Sequence, residues 1–348
     1  MLHLPSGAGV LAGALQPYSL KPHRASALPG ERPRLSPVPR LNLTAVTEFT
    51  FEGFSVFGWQ HRLVLFAVFL VLYLLTLARN AIILTVIRLN CQLHTPMHFF
   101  LSVLSISETG YTGAIIPRML SSLLSPQRAI SIPDCATQLF FCLAFGINDC
   151  FLLTATGYDR YAAACNPLRY SVVMGKRTCL QLASGSWSIG PSTASIQVSS
   201  VFSLPFCDAN VISHFFCDIR PLMQLARADT TIKELVTLLI SLCVLVLPAV
   251  LIVISYVLIV STSLKIPSAR GRKKAFATCA SRLTVVVVHY GCASVAYLKP
   301  KSHNSLKDRL ISVTYTVITP LLNPVVYSLR NKEVKDALLR ALGKNPLS

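Results

Sequence analysis

Charged residues are scarce in this sequence, acidic ones above all. Of 348 residues only 13% are charged, with 14 Asp and Glu against 32 Lys and Arg, whereas 53% are apolar. Soluble domains carry about 25% charged residues, so an ordinary soluble enzyme or binding domain is excluded, and the hydrophobicity excludes global disorder. In a soluble chain the net charge of +18 would point to nucleic acid. In an apolar chain it indicates basic cytoplasmic loops beside anionic lipid, so we expect a bilayer and no nucleic acid as partner.

The motifs of common enzymes and metal proteins are missing. The 11 cysteines are scattered and form no Cys-x-x-Cys pair, and neither a His-Glu-x-x-His zinc motif nor a glycine-rich phosphate loop occurs. Asp149 and Cys150 lie inside an apolar run, but no His stands at a spacing that makes a nucleophile–base pair evident. We therefore predict no enzymatic activity and no cofactor.

Long apolar runs dominate the chain instead. A membrane span needs about 20 mostly apolar residues, because the hydrocarbon core is about 30 Å thick and a helix rises 1.5 Å per residue. Clear spans are predicted at 63–87, 99–124, 137–158, 235–264, 278–298 and 310–329. The run 179–204 carries eight serines, and we accept it as the fourth span because the segments between spans then alternate sides. The fold class predicted is an all-α membrane protein with a seven-transmembrane helix bundle.

Basic residues set the predicted orientation. Lys and Arg crowd the loop 265–274 and the tail 330–344, which lie on one side of the bundle, so that side should be cytoplasmic. The loop 299–309 on the opposite side is basic too and argues against this. The only Asn-x-Ser/Thr sequon, at Asn42, precedes the first span and favours an outside, glycosylated N-terminus and an inside C-terminus.

Three parts of the chain follow from these positions. Residues 1–61 are predicted to form an extracellular tail, 62–330 the seven-transmembrane domain and 331–348 a cytoplasmic tail. Residues 1–41 are rich in Pro, Gly, Ala and Arg and are predicted to be disordered; a signal peptide around 9–15 is the alternative. The cytoplasmic tail has helical spacing at Glu333, Val334, Ala337, Leu338 and Ala341, which predicts a short amphipathic helix.

Motifs at the ends of the spans identify a family. They are Pro96-Met-His-Phe-Phe-Leu-Ser102, Tyr158-Asp-Arg-Tyr161, Ser255-Tyr256, Lys274-Ala-Phe-Ala-Thr-Cys-Ala-Ser-Arg-Leu283, Tyr290-Gly291 and Asn323-Pro-Val-Val-Tyr327. With these motifs in order, the chain from about Asn42 to Leu342 resembles the rhodopsin-like (class A) G protein-coupled receptors, and within them the olfactory receptors.

The resemblance implies an odorant receptor of the plasma membrane. It implies that a small, mostly apolar volatile ligand binds between the outer halves of the helices and activates a stimulatory, olfactory-type heterotrimeric G protein, which raises cyclic AMP. Such a ligand suits a concave pocket with few polar groups. Helical spacing in the spans concerned gives the candidate pocket residues: Leu143, Gly146, Ile147, Ile240, Ser241, Val244, Tyr290, Ala293, Ser294, Tyr297 and Thr316. Plain helix packing is the alternative for each of them.

The resemblance also implies a coupling site and a disulfide. The coupling residues would be Asp159, Arg160, Tyr161, Tyr256, Arg282, Asn323, Pro324 and Tyr327, with Asp159 restraining Arg160 at rest. The disulfide would join Cys135 and Cys217. The family usually has a second pair in the same loop, but Arg227 occupies the position expected for the partner of Cys207, so Cys207 is predicted to be an unpaired thiol.

Several positions depart from the family. Arg79 stands where Gly is common, and Arg282 replaces a His. An Arg within a span costs about 2.5–3.5 kcal/mol on insertion scales. Together with Arg227, these residues suggest a receptor that folds, traffics or signals poorly, with trafficking chaperones as further candidate partners. Glu108 matches an acidic position of the second span, where a sodium ion and a protonated carboxyl are the alternatives; no other metal is expected.

Other functions remain open at this point. A receptor tuned to a non-odorant ligand has the same motifs, since pocket residues do not name their ligand. A signalling-impaired receptor would explain the three arginines. A transporter or channel is the remote alternative, because transporters tend to show internal repeats and the sequence has none evident.

Overall fold

The computed structural model describes residues 46–54, 57–125, 129–206, 210–265 and 268–298, together with residues 313, 316, 317 and 320. Asn42, Cys207, Asn323, Pro324, Tyr327 and the tail 331–348 lie outside this part. The helices are α1 Trp59–Leu89, α2 Pro96–Leu124, α3 Ile132–Cys165, α4 Tyr170–Val173, α5 Lys176–Phe202, α6 Ile219–Leu225, α7 Thr231–Leu264 and α8 Ala269–Leu298. Short 3-10 turns precede α2 and α4, at Cys91–Leu93 and Pro167–Arg169.

Six of these helices correspond to the first six predicted spans. Within the described residues, α1, α2, α3 and α7 are long and apolar enough to cross a membrane. The seventh span is represented by residues 313, 316, 317 and 320, which are helical and buried. We name the two ends of the bundle after α3, as the Cys135 end and the Arg160 end.

The helices extend beyond the predicted spans at most ends. The first begins at Trp59, so the bundle starts three residues before the predicted boundary at 62. The basic run 269–274, expected in a loop, is instead the first part of α8. Hydropathy finds the part of a helix that lies in lipid, whereas the helix itself continues until its hydrogen-bonding pattern is interrupted.

The serine-rich helix α5 is a regular helix despite its weak hydropathy. Three of its serine hydroxyls donate to the carbonyl four residues earlier, as in Ser186 to Leu182 at 2.9 Å and Ser195 to Pro191 at 2.9 Å. Gly190 lets α5 approach α3 closely, since a Cβ there would lie 2.5 Å from the carbonyl oxygen of Ala144. Small residues therefore allow close helix contact in this span.

A three-stranded sheet covers the Cys135 end, where no strand was predicted from the sequence. Strand β1 (Glu48–Phe51) lies between β2 (Ala129–Ser131) and β3 (Val211–Ile212), antiparallel to β2 and parallel to β3. Phe49 and Phe51 are buried beneath it. A segment predicted only as tail is thus hydrogen-bonded to the start of α3 and to the loop after α5.

The disulfide between Cys135 and Cys217 is confirmed, with the two Cα atoms 5.6 Å apart. Gln138 supports the same junction: its side-chain oxygen accepts from the backbone N–H of Cys217 at 3.1 Å, and its amide nitrogen donates to the carbonyl of Ala114 at 3.1 Å. The loop after α5 is therefore joined to both α2 and α3.

The two departures that can be located lie at different depths. Arg79 is half-buried in α1, directly before the fully buried Asn80. Arg227 is exposed, and its backbone N–H donates to the carbonyl of Pro205 at 3.3 Å, while Phe206 and Ala226 form an isolated β-bridge. The chain next to Cys207 thus runs beside the chain at Arg227.

Candidate functional site

A cavity lies among α2, α3, α5, α7 and α8, and we call it the central cavity. It holds about 500 Å³ of space between its atoms, including the part open to solvent. Its lining residues among those described are Tyr111, Cys142, Leu143, Gly146, Ile147, Cys150, Gln197, Ile240, Ser241, Val244, Leu245, Ala293 and Tyr297. The wall is mainly apolar, with a few polar groups, which is the usual composition of a site for a small organic molecule.

Helical periodicity explains how this wall is assembled. α3 supplies residues at 142, 143, 146, 147 and 150, and α7 supplies residues at 240, 241, 244 and 245. Both series advance by one, three or four positions, so each lies on one helix face. Tyr111 comes from α2 and Gln197 from α5, one residue each. The central cavity therefore depends on helices that are far apart in sequence.

Most of the candidate pocket residues lie on this wall. Eight of them line it: Leu143, Gly146, Ile147, Ile240, Ser241, Val244, Ala293 and Tyr297. Tyr290, Ser294 and Thr316 are not among the lining residues. Tyr290 instead donates its hydroxyl to the carbonyl of Cys150 at 2.7 Å, and Thr316 is fully buried. Whether the eight residues bind a ligand stays a prediction.

Five lining residues were not predicted from the sequence: Tyr111, Cys142, Cys150, Gln197 and Leu245. Cys142, Cys150 and Leu245 extend the predicted faces of α3 and α7 by a residue or a turn, so a wider stripe would have included them. Gln197 could not be predicted from helical spacing, because the serine-rich α5 has no apolar stripe that would identify its inward face.

A cysteine–histidine contact lies beside the central cavity. The Cys150 sulfur is 3.5 Å from Nε2 of His289, which is buried on α8. No sequence spacing suggested this pair, since the two residues are 139 positions apart. With the Tyr290 hydroxyl on the Cys150 carbonyl, two adjacent residues of α8 contact one residue of α3. These contacts join α3 to α8 at the wall of the central cavity.

At the Arg160 end, a buried carboxylate has two partners. Oδ2 of Asp159 lies 3.5 Å from Nε of Arg160, and Oδ1 accepts the Tyr170 hydroxyl at 2.7 Å. Asp159 is 1% exposed, whereas the Arg160 side chain is 25% exposed. Burial, and next the hydrogen bond to Asp159, raise the pKa of the Tyr170 hydroxyl above its ordinary value. The hydroxyl is therefore a permanent donor to Asp159 at neutral pH.

The other candidate coupling residues are placed less completely. Tyr256 of α7 is buried, and the Tyr161 ring lies 6.3 Å from the Tyr158 ring between centroids. Arg282 belongs to α8, but its side chain lies outside the described part, as do Asn323, Pro324 and Tyr327. The structure thus describes the α3 part of the candidate coupling residues, whose role in coupling stays a prediction.

Comparison with known proteins identifies the family. The family profile described as olfactory receptor matches residues 69–345. Olfactory receptor 10J4 of Homo sapiens is 79% identical over 311 residues, which is 89% of this chain and all of that protein. Olfactory receptor 10J3 of Homo sapiens is 68% identical over 81% of this chain and 86% of its own length. Olfactory receptor 10J5 of Mus musculus is 60% identical over 88% of this chain and 99% of its own length.

The chain belongs to the olfactory receptor family. The receptor is accordingly a multi-pass membrane protein with a seven-helix bundle, and it is not an enzyme. Its role is that of an odorant receptor, with odorants and G proteins as the general partners of the family.

A buried polar layer lies within the receptor's bundle. Glu108 of α2 is 1% exposed and Asn80 of α1 is fully buried. Asn148 of α3 donates to the Ser107 hydroxyl at 2.8 Å. Within the described residues, no group of three or more His, Cys, Asp and Glu side chains could hold a metal ion. A carboxyl at this depth is expensive as an anion, so both the sodium ion and the protonated carboxyl stay predictions for Glu108.

Proposed function

We propose that this receptor binds a small, mostly apolar volatile odorant in the central cavity and activates a stimulatory, olfactory-type G protein, which raises cyclic AMP. The observation that carries this proposal is the arrangement of α3, which lines the central cavity with five residues and carries Asp159 and Arg160 in its last two turns. One rigid helix thus touches both the expected ligand and the expected coupling site.

The orientation belongs to the same proposal. The Cys135 end would face the outside and the Arg160 end the cytoplasm, with the tail 1–61 extracellular, the receptor domain at 62–330 and the tail 331–348 cytoplasmic. The disulfide supports this orientation, because disulfides persist in oxidising compartments. The basic residues of 269–274 support it too, because positive charge accumulates on the cytoplasmic side.

Activation requires that the ligand bind one state more tightly than another. At rest, Asp159 holds Arg160 and is itself held by Tyr170. A ligand in the central cavity contacts Ala293 and Tyr297 of α8, one and two turns from the pair His289 and Tyr290 that contacts Cys150. A ligand that moves α8 against α3 would change this contact, and the Arg160 end would open to the G protein.

The test combines surface staining with cyclic AMP measurement. An N-terminally tagged receptor is stained in live, unpermeabilised cells, and cyclic AMP is recorded during an odorant screen. We expect surface signal and a ligand-dependent rise that disappears in Arg160→Ala. Surface staining of a C-terminal tag instead would contradict the orientation. A response that survives Arg160→Ala at equal surface level would contradict the coupling site.

A further inference from the structure

Ser241 and Ser263 differ from the other two serines of α7, and Ser241 is the one that lines the central cavity. Ser255 and Ser261 of α7 donate their hydroxyls to the carbonyls of Leu251 and Val257, both at 2.8 Å. The Ser241 hydroxyl makes no hydrogen bond within the part of the chain that the structure describes. It is 8% exposed and lines the central cavity. Its hydrogen-bonding capacity is therefore directed at the central cavity.

Gln197 shows the same contrast with a second buried glutamine. Gln138 uses both ends of its amide, as described above. Gln197 is as deeply buried, at 5% exposed, and its amide makes no hydrogen bond to any described residue. It lines the central cavity from α5, across from the α7 wall. A ligand that covers this amide without a hydrogen bond to it loses about 1–3 kcal/mol, so a ligand with a matching polar group is favoured here.

The rest of the wall defines what kind of ligand fits these two groups. None of the described lining residues carries a charge, so a carboxylate or an ammonium group would enter without a counter-charge. Tyr111 and Tyr297 already interact with other parts of the protein. Gln197 and Ser241 each contain both a donor and an acceptor. A hydroxyl group matches this pair, because it too donates and accepts.

We propose that Gln197 and Ser241 select neutral odorants that carry a hydroxyl group. The hydrocarbon part of the ligand packs on the aliphatic wall, and its hydroxyl satisfies the polar groups of α5 and α7. This inference rests on the proposed ligand site. An ether, which only accepts, binds less well than an alcohol, and a hydrocarbon binds worst, because it leaves the buried amide and hydroxyl unpaired.

The test uses matched ligands and a binding readout that needs no G protein. Alcohols of about six to ten carbons, linear and cyclic, are each compared with the methyl ether and the hydrocarbon of equal size. Ligand-induced thermal stabilisation of the purified full-length receptor is measured over ligand concentration, and cyclic AMP is measured in cells. We expect half-maximal stabilisation by the alcohol at a concentration about 10- to 100-fold lower than by its hydrocarbon.

Variants then assign the preference to the two residues. The preference is the half-maximal concentration for the hydrocarbon divided by that for the alcohol. Gln197→Leu and Ser241→Ala should each reduce this ratio by about 10-fold, whereas Ser241→Thr, which keeps the hydroxyl, should preserve it. Ser186→Ala is the matched control, since Ser186 is a buried serine of α5 whose hydroxyl is engaged by the Leu182 carbonyl. It should leave the ratio unchanged.

The outcomes separate this inference from the proposed function. Stabilisation by alcohols without a cyclic AMP response contradicts the proposed coupling and supports the selectivity. A cyclic AMP response with equal potency for alcohol, ether and hydrocarbon overturns the selectivity and leaves the receptor function standing. An unchanged ratio in the double variant of Gln197→Leu with Ser241→Ala also overturns it, as does the absence of stabilisation by every alcohol of the series.

Discussion

The Tyr170 hydroxyl donates a hydrogen bond of 2.7 Å to Asp159, on the carboxylate whose other oxygen faces Arg160. Tyr170 belongs to the short helix α4, which follows α3 after a single 3-10 turn. The segment after the third span thus contacts the Asp159–Arg160 pair directly.

Tyr170→Phe should raise basal cyclic AMP. Loss of a hydrogen bond to a buried carboxylate costs about 1–3 kcal/mol. Under the proposed mechanism this loss destabilises the resting state relative to the active state. We expect a basal signal about 2- to 10-fold higher at equal surface level. Tyr73→Phe, at a half-buried position of α1, is the control and should leave the basal signal unchanged. A basal signal unchanged in Tyr170→Phe would mean that α4 does not restrain Asp159.

Gly190→Ala should destabilise the receptor. The added Cβ would lie 2.5 Å from the backbone oxygen of Ala144, which can move away only if α3 and α5 separate. Overpacking of this kind costs about 1–3 kcal/mol. The melting temperature of the purified receptor and its surface level should both fall. Gly185→Ala is a control on the same helix, because nothing lies within 4 Å of its added Cβ. Equal melting temperatures for the two variants would refute the close contact.

Arg227→Cys should form a second disulfide, with Cys207. The chain at Pro205 and Phe206 already pairs with Ala226 and Arg227, so the new thiol would come close to Cys207 without a change of the fold. We expect one free thiol fewer than in Arg227→Ser by quantitative thiol labelling under denaturing conditions, and a higher surface level. Arg227→Ser removes the same arginine without supplying a thiol. One free thiol more in Arg227→Cys than in Arg227→Ser would contradict the pairing.

Arg79→Gly should raise the surface level. Arg79 is half-buried in the apolar helix α1, and an arginine within a span costs about 2.5–3.5 kcal/mol on insertion scales. Arg79→Lys retains the charge and should behave like the unmodified receptor, as judged by live-cell staining normalised to total protein. If Arg79→Gly gives no gain in surface level, the position tolerates its charge.

The sequence was sufficient where a local pattern carries the information. The first six spans, the Cys135–Cys217 disulfide and eight residues of the central cavity follow from apolar runs, helical spacing and family motifs. Gln197 could not be found this way, because α5 lacks an apolar stripe. The Cys150–His289 contact could not be found either, because it depends on how α3 and α8 pack rather than on spacing along the chain.

Strand β1 was missed for a related reason. Four residues before the first span have no periodicity long enough to stand out, and their partners lie about 80 and 160 positions further along the chain. Only the folded chain brings Glu48–Phe51 between β2 and β3. Tyr170 could not be predicted as a partner of Asp159 either. Nothing in the sequence around it marks this role, and only the fold places α4 against Asp159.

The three strands at the Cys135 end have a practical consequence for chimeras between receptors. Their residues come from three distant stretches of the chain, but the hydrogen bonds and the buried Phe49 and Phe51 make them one interlocked cap. A graft that exchanges only the segment before α1 would lay foreign side chains on native β2 and β3. A chimera should therefore take residues 46–54, 129–131 and 210–217 from the same parent receptor.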